Sequence, residues 1–121
     1  MSEKGATQLS PAECKELLLC FFEKPSSDVS SDASHLEILD VRTPQEYRSG
    51  HLNGAINVDF RSPFFRDLIV GLDRNNAYLL YCRTGIRSAR AAMLMMSLGF
   101  KELYNLTKGI EQWQREGYEV V

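Results

Sequence analysis

A cysteine, two arginines, a glycine and a serine fall close together in one short segment of this chain. The segment is Cys82-Arg83-Thr84-Gly85-Ile86-Arg87-Ser88. It follows a strand-like apolar run, residues 77–81, and leads into a helix-like run, residues 88–98. A thiol between a strand and a helix faces the N–H groups of a turn and the positive end of the helix dipole, and both favour the thiolate. Because the thiolate is the reactive form, Cys82 is the candidate nucleophile.

The other residues of the segment predict a site for an anion. Gly85 permits a positive φ, so that successive N–H groups can converge on one point. Arg83 and Arg87 can add charge-assisted hydrogen bonds to an oxyanion, and Ser88 can cap the helix or hydrogen-bond the sulfur. One cation about 6 Å from the sulfur contributes about 2–3 kcal/mol at an effective dielectric of about 20, which lowers the thiol pKa towards neutral. The predicted substrate-binding residues are Arg83, Thr84, Gly85, Ile86, Arg87 and Ser88.

Short apolar segments alternate with helix-like segments along most of the chain. Strands are predicted at residues 36–41, 55–58, 78–81 and 102–106. Helices are predicted at residues 11–23, 44–49, 62–72, 88–98 and 109–116, the first opened by a capping box of Ser10 and Glu13. This alternation is typical of an α/β fold, with a mostly parallel central sheet and helices on both faces. Ligands bind beyond the carboxyl ends of such strands, where Cys82 lies.

Length and composition indicate one globular domain. The chain has 121 residues, of which 44% are hydrophobic and 25% charged. Residues 1–121 are interpreted as a single domain with a polar internal loop at about residues 25–34. The net charge of −2 argues against a general nucleic-acid-binding protein, which would carry a basic excess. Because no apolar run is long enough to cross a membrane and the first residues lack the apolar core of a signal peptide, we expect a cytoplasmic protein without nucleic-acid or membrane partners.

The cysteines show no metal-binding pattern. Cys14, Cys20 and Cys82 form neither a CxxC pair nor a zinc-ligand spacing, so no metal site is predicted. We interpret Cys14 and Cys20 as packing residues of the first helix, since no spacing supports a role as a resolving thiol for Cys82. His51 is interpreted as a structural histidine bonded to loop backbone and not as a general base.

Four segments of the chain resemble motifs of the rhodanese sulfurtransferase family. They are the loop 82–88, residues 39–42 with the following Glu46 and Tyr47, residues 50–58, and residues 106–109 with Trp113 and Gly117. The resemblance spans roughly residues 7–120, nearly the whole chain. It implies a single rhodanese-like domain with a mostly parallel, five-stranded central sheet and helices on both faces. The chain departs from the family at Lys108-Gly109, where paired glycines are common, and this adds a cation and a bulkier side chain at the pocket rim.

The resemblance also implies a reaction in two halves. The Cys82 thiolate takes the outer sulfur of a donor such as thiosulfate, becomes a persulfide and releases sulfite. A thiophilic acceptor then removes that sulfur, and cyanide, a small thiol and a protein cysteine are the candidates. Neither half requires a metal or an organic cofactor. Two arginines suit thiosulfate, which is doubly charged, better than a carboxylate donor such as mercaptopyruvate.

Other functions stay open at the level of sequence. The first is a cysteine-dependent phosphatase or arsenate reductase. In the cysteine phosphatases the arginine lies six positions after the cysteine, because a longer loop surrounds the phosphate oxygens, whereas Arg87 lies five positions after Cys82. The second is a non-catalytic rhodanese-like module that binds a partner. The third is a sulfur carrier whose persulfide serves one partner protein.

Asp40 and Arg42 are the predicted supporting residues. With Glu46 they are interpreted as an ion and hydrogen-bond group that stabilises the fold. The alternative is that Asp40 orders the active-site side through backbone hydrogen bonds. Arg42, at the edge of the cleft, is in that case a candidate for substrate contact.

Overall fold

Five parallel strands form a sheet at the centre of the described structure. The computed structural model describes residues 5–23 and 35–121. Its strands are β1 (Thr7–Leu9), β2 (Leu36–Asp40), β3 (Ala55–Asn57), β4 (Ala77–Tyr81) and β5 (Glu102–Leu106). Its helices are α1 (Pro11–Glu23), α2 (Pro44–Arg48), α3 (Phe65–Val70), α4 (Ile86–Ser97) and α5 (Gly109–Arg115). The strand order is β1-β5-β4-β2-β3 and every pairing is parallel, which confirms the predicted α/β class.

β4 is the central strand, and it is buried along its whole length. Each of its residues is at most 1% exposed. A run of apolar residues without charge suits a strand that has a neighbour on either side and helices on both faces. The register pairs Asp40 with Tyr81 and Leu80 with Asn105, so β2, β4 and β5 end at the same edge of the sheet. Cys82 therefore emerges beside the segments that follow β2 and β5.

Helices cover both faces of the sheet, as predicted. Side chains that alternate along β4 divide between two cores. Tyr78, Leu80 and Cys82 pack with residues of α3 and α4, whereas Leu79 and Tyr81 pack with residues of α1 and α5. Within residues 5–23 and 35–121, no helix is both long and apolar enough to cross a bilayer.

β1 is the strand that the sequence pattern does not predict. Its three residues include two exposed ones and show no apolar alternation. Pairing with the edge of β5 creates the strand, with Thr7 opposite Tyr104 and Leu9 opposite Leu106. The fifth strand therefore arises from a tertiary contact and not from a local preference.

Two helices begin at other residues than predicted. α4 starts at Ile86, two residues before the predicted Ser88, because Gly85 with a φ of 104° turns the chain directly into the helix. α3 starts at Phe65 and not at residue 62, because the Phe65 N–H donates to the Ser62 carbonyl in a preceding turn.

The capping box at the start of α1 is confirmed. The Glu13 N–H donates to Ser10 Oγ at 3.1 Å, and the Ser10 N–H donates to the Glu13 carboxylate at 2.8 Å. The predicted polar loop at residues 25–34 lies outside the described residues. The single-domain interpretation of residues 1–121 therefore stays a prediction.

The turn between β5 and α5 presses its backbone against the segment that follows β4. The N–H groups of Ile110 and Glu111 donate to the carbonyls of Cys82 (2.9 Å) and Arg83 (3.2 Å). Gly109 has a φ of 66°, and an added Cβ would lie 2.5 Å from the Cys82 carbonyl oxygen and closer still to that of Arg83. Glycine fits here because the space is filled by backbone atoms that cannot swing aside.

Gly109→Ala is expected to lower the free energy of unfolding by about 3–5 kcal/mol, through a strained φ and a clash with fixed backbone. Gly117→Ala is the matched control, because Gly117 has a φ of 91° but nothing within 4 Å of an added Cβ. It should cost about 1–2 kcal/mol. Urea unfolding followed by the fluorescence of Trp113 measures both losses. Equal losses in the two variants would show that the close backbone contact at Gly109 does not contribute to the loss of stability.

Candidate active site

The sulfur of Cys82 lies inside a ring of hydrogen-bond donors. The Gly85 N–H donates to Sγ at 3.0 Å, and the N–H and hydroxyl of Ser88 each donate at 3.4 Å. Cys82 is 1% exposed, so these donors stand in place of water around the sulfur. Donors that converge on one buried atom stabilise negative charge there. The site can therefore hold a thiolate.

The sequence of the loop explains this geometry. β4 ends at Tyr81, and Gly85 reverses the chain so that α4 begins at Ile86. The first N–H groups of a helix have no carbonyl partner within the helix, and that of Ser88 points back at the sulfur. A side chain at Gly85 would also meet the backbone nitrogen of Lys108 at 3.1 Å. Glycine is therefore favoured both by the left-handed φ and by the neighbouring backbone.

Hydrogen bonds keep the pKa of Cys82 below the ordinary value of a thiol. Burial works against them, because it penalises the charged form and raises the pKa. The hydroxyl of Ser88, its N–H, and the N–H groups of Gly85 and Thr84 together outweigh burial and lower the pKa. The sequence analysis expects the N–H groups of the turn, the helix dipole and an arginine charge to lower this pKa, and in the structure the hydrogen-bond donors of the loop are the main causes that lower it.

Arg87 forms a two-pronged ion pair with Glu46 of α2. Its Nη1 and Nη2 donate to the two carboxylate oxygens at 2.9 and 3.0 Å. Hydrogen bonding from Arg87 is the main cause that lowers the pKa of Glu46 to about 2. Glu46 chiefly, and Cys82 in addition, raise the pKa of Arg87. The pair joins α2 to the start of α4, and Glu46 balances the charge that was expected to face an oxyanion.

Arg83 points outwards from the loop. Its side chain is 64% exposed, and its Nε donates to Glu111 of α5 at 2.9 Å. Thr84 and Ile86 are exposed as well. In the part of the chain that the structure describes, neither loop guanidinium donates to Cys82 Sγ, and each is paired with a carboxylate. The predicted contacts of both arginines with an anion stay a prediction, whereas loop N–H groups already surround the sulfur.

A buried ion pair follows β2, at the same sheet edge as Cys82. Arg42 Nη2 lies 2.6 Å from Asp40 Oδ2, and the two residues are 5% and 0% exposed. The Tyr81 hydroxyl donates to the same oxygen at 2.7 Å and accepts the Leu52 N–H at 3.0 Å. Arg42 also donates to the Gly50 carbonyl. Asp40 and Arg42 thus form the buried ion and hydrogen-bond group that the sequence predicts, and its role in supporting the site stays a prediction.

Glu46 is not a member of this group, so its predicted place there is wrong. The Thr43–Glu46 spacing indicates a capping box, which is present at the start of α2. Nothing in that spacing indicates a partner in Arg87, 41 residues away. Tyr81 is a second residue that sequence reasoning misses, because a hydroxyl within an apolar strand gives no local signal of a buried carboxylate partner.

The remaining candidate groups serve packing. His51 stacks on Tyr47 with ring centroids 3.8 Å apart, and its Nδ1 lies 2.9 Å from the Tyr47 carbonyl oxygen, so its backbone partner belongs to α2 and not to a loop as predicted. Cys14 is buried, and burial raises its pKa to about 12. Cys20 is half-buried on the same helix. Among residues 5–23 and 35–121, no cluster of His, Cys, Asp and Glu side chains is placed to hold a metal ion.

Comparison with known proteins identifies the family of this chain. The family model of the Rhodanese-like domain matches residues 25–116. The chain belongs to the rhodanese-like family. This membership confirms the resemblance that the four sequence motifs indicate.

The relatives of this rhodanese-like chain include named sulfurtransferases. It is 31% identical over 90 residues to thiosulfate sulfurtransferase GlpE of Pseudomonas entomophila, covering 74% of this chain and 81% of that enzyme. It is 35% identical over 77 residues to uncharacterized protein YqhL of Bacillus subtilis, covering 64% of this chain and 60% of that protein. The crystal structure of a rhodanese-related protein from Thermoplasma volcanium matches with a TM-score of 0.75 at 27% identity, over 95% of this chain and 97% of that one.

Ser88→Ala is expected to raise the pKa of Cys82, because the hydroxyl bond is the largest of those that favour the thiolate. The midpoint of Cys82 alkylation by iodoacetamide should therefore move to higher pH, as followed by peptide mass. Ser97→Ala is the control, since its hydroxyl bonds the Leu94 carbonyl near the far end of α4. The same midpoint in Ser88→Ala and wild type would contradict this account of the thiol.

Glu46→Gln is expected to lower stability at neutral pH and to matter less in acid. Glu46 has a folded-state pKa of about 2 against an ordinary value of 4.5. The ion pair therefore stabilises the fold fully above pH 4.5 and loses this effect as the pH falls towards 2. At pH 7 the free energy of unfolding should fall by about 1–2 kcal/mol. Urea unfolding from pH 7 down to about pH 3 should show a shrinking difference between wild type and Glu46→Gln in the free energy of unfolding.

Glu111→Gln is the matched control for this loss, because it removes the carboxylate that pairs with the other loop arginine. The Arg83–Glu111 pair has side chains 64% and 40% exposed, against 18% and 30% for Arg87–Glu46. An exposed pair should contribute at most about 0.5 kcal/mol. The loss of unfolding free energy in Glu46→Gln could stay constant with pH, or Glu111→Gln could show the same loss. Either result would rule out the Arg87–Glu46 ion pair as the source of the loss.

Proposed function

We propose that this protein is a sulfurtransferase that moves sulfane sulfur from thiosulfate, or a similar donor, through a Cys82 persulfide to a thiophilic acceptor. The observation that carries the proposal is the ring of donors around Cys82 Sγ, from Gly85 at 3.0 Å and Ser88 at 3.4 Å. A relative named thiosulfate sulfurtransferase supports it. The proposed substrate-binding residues are Arg83, Thr84, Gly85, Ile86, Arg87 and Ser88, with Asp40 and Arg42 as supporting residues.

In the proposed first half-reaction, the Cys82 thiolate attacks the outer sulfur of thiosulfate. A Cys82 S–S bond forms, and the bond between the two thiosulfate sulfurs breaks with its electron pair leaving on sulfite. In the second half-reaction, a thiolate or cyanide attacks the outer sulfur of the persulfide, and the electron pair returns to Cys82. The loop donors support both halves, because negative charge lies on sulfur near the same N–H groups before and after each transfer. Neither half needs a metal or an organic cofactor.

The size of the loop supports sulfur transfer over phosphate or arsenate chemistry. Arg87 lies five positions after Cys82, and both of its terminal nitrogens are engaged by Glu46. A phosphoryl group transferred to Cys82 would keep several charged oxygens in the loop that each need a donor, whereas thiosulfate leaves its oxygens on the departing sulfite. A single added sulfur atom needs fewer hydrogen-bond donors than a phosphoryl group does, and the N–H groups near Sγ can supply them.

A non-catalytic, partner-binding module is the second candidate. Such a module has no need for a nucleophile, whereas the pKa of Cys82 is lowered by several converging donors. A sulfur carrier that serves one protein acceptor shares the proposed first half-reaction and differs only in the second. The proposed partners are therefore a small anionic sulfur donor and a thiol or protein-cysteine acceptor, without nucleic acid or membrane.

The proposal also includes a cytoplasmic location. Cys14, Cys20 and Cys82 are free thiols. A reducing compartment keeps such thiols from forming disulfides and so preserves a cysteine nucleophile.

Intact mass spectrometry after exposure to thiosulfate tests the first half-reaction. The expected result is a gain of about 32 Da on Cys82, and its loss with release of thiocyanate when cyanide is added. Cys82→Ser should show neither change, whereas Cys14→Ser and Cys20→Ser should behave as wild type. A gain located on Cys14 or Cys20, or no gain at all, would refute the proposal. Hydrolysis of a small aryl phosphate in a parallel assay would favour the phosphatase instead.

A further inference from the structure

Ion pairs balance the two arginines of the active loop. Arg87 is paired with Glu46 and Arg83 with Glu111, each at 2.9 Å. Each pair sums to zero charge, and Coulomb attraction for an approaching anion is correspondingly weak. The positive charge that the loop sequence displays is therefore largely cancelled in the folded protein. A further cation near the loop would therefore add to the attraction felt by a donor with two negative charges.

Lys108 lies against the active loop. It follows β5 at the same sheet edge at which Cys82 follows β4. Its backbone nitrogen is 3.1 Å, and its Cα 3.7 Å, from the position of a Cβ on Gly85. The N–H of Gly85 in turn donates to Cys82 Sγ. One residue therefore separates the Lys108 backbone from the sulfur.

The ammonium group of Lys108 is available to an anion in solution. Lys108 is exposed, and among the described residues no carboxylate lies within ion-pair distance of it. It borders a cavity of about 360 Å³ that Glu13 and Glu116 also line. Those two carboxylates accept hydrogen bonds from Ser10 and Gln112. Both carboxylates keep their charge, but neither is close enough to Lys108 to pair with it as Glu46 and Glu111 pair with the arginines.

The backbone at Lys108 is strained. In the part of the chain that the structure describes, it is the single non-glycine residue in the left-handed region, with a φ of 65° and a ψ of 6°. Glycine would adopt this conformation without the steric penalty of a Cβ. Such strain next to a reactive group motivates a functional hypothesis for the side chain that imposes it.

We propose that Lys108 attracts the anionic sulfur donor to Cys82 and so sets a preference for charged over neutral donors. The inference rests on the proposed function, because it names the residue that recognises the donor of that same site. Lys108 is a specificity residue and takes no part in bond making. It therefore acts on donor capture, and the chemical step at Cys82 proceeds without it.

The rates of Cys82 alkylation by iodoacetate and iodoacetamide test the attraction without any sulfur transfer. Both reagents need the thiolate, so a change in the pKa of Cys82 cancels in the ratio of the two rates. Iodoacetate is an anion and iodoacetamide is neutral, so the ratio reports the electrostatic potential at the sulfur. In Lys108→Met the iodoacetate-to-iodoacetamide ratio should fall about threefold at low salt. The fall should largely disappear at about 0.5 M salt, because screening removes the attraction.

Lys101→Met is the matched control. Lys101 is exposed and precedes β5, at the opposite edge of the sheet and about 20 Å from Lys108 along that strand. It changes the net charge by the same amount and should leave the ratio unchanged. Arg90→Met removes an exposed cation that lies about one turn of α4 beyond Arg87. It should lower the alkylation ratio less than Lys108→Met does. A ratio in Lys108→Met equal to that in Lys101→Met would overturn the inference.

Two further variants separate charge from backbone effects. Lys108→Arg keeps the charge and should retain the ratio of wild type. Lys108→Gly relieves the strain, so it should unfold at a higher urea concentration while showing the same lowered ratio as Lys108→Met. A lowered ratio in Lys108→Arg would show that the backbone, and not the charge, is responsible, and would refute the inference.

Donor kinetics connect the attraction to the proposed function. With thiosulfate, Lys108→Met should lower kcat/KM about five- to tenfold through KM, with kcat kept, because the donor carries two charges. A fall in kcat with KM unchanged would refute a role in capture. If wild type transfers no sulfur but the alkylation ratio still falls in Lys108→Met, the proposed function fails while the attraction at Lys108 stands.

Discussion

A thiolate at Cys82 places a negative charge where almost no water reaches, and the hydrogen bonds from the loop are what stabilise this form against burial. Burial alone would keep the thiol neutral. The N–H groups of Gly85 and Ser88 reach Sγ only because a left-handed glycine joins the end of β4 to the start of α4. On its other side the loop is held by α5, since the Ile110 N–H donates to the Cys82 carbonyl. A site built in this way needs little reorganisation when charge moves from one sulfur to another.

The charged residues near the loop are paired with one another in the structure. Asp40 and Arg42 form a buried pair at the end of β2, and Glu46 connects α2 to the first turn of α4 through Arg87. A buried pair is costly to break, because removal of one partner leaves the other charge without compensation. These contacts explain how a loop rich in arginine can present so little net charge. The groups that donate to the sulfur are uncharged N–H groups and the Ser88 hydroxyl, whereas the charged side chains pair with one another around the loop.

Sequence reasoning predicts the parts of this molecule that depend on local pattern. The apolar strand before Cys82 and the capping box at Ser10 follow from residue spacing and are present. β1 is not predictable in this way, because pairing with β5 alone makes those three residues a strand. The partner of Arg87 is not predictable either, since Glu46 is 41 residues away and its local pattern indicates a cap. Long-range contacts thus decide how the charges of the loop are paired.

The depth of Cys82 has a consequence for what collects the sulfur in the proposed reaction. The residue is 1% exposed, and a persulfide extends it by one S–S bond of about 2 Å. The outer atom therefore stays within about 2 Å of a sulfur that solvent hardly reaches, and a broad, flat protein surface is poorly shaped to attack it. A collecting nucleophile has to arrive on a narrow support, as cyanide, a small thiol or a cysteine at the tip of a protruding chain segment does. The burial of Cys82 thereby selects sulfur acceptors by their shape.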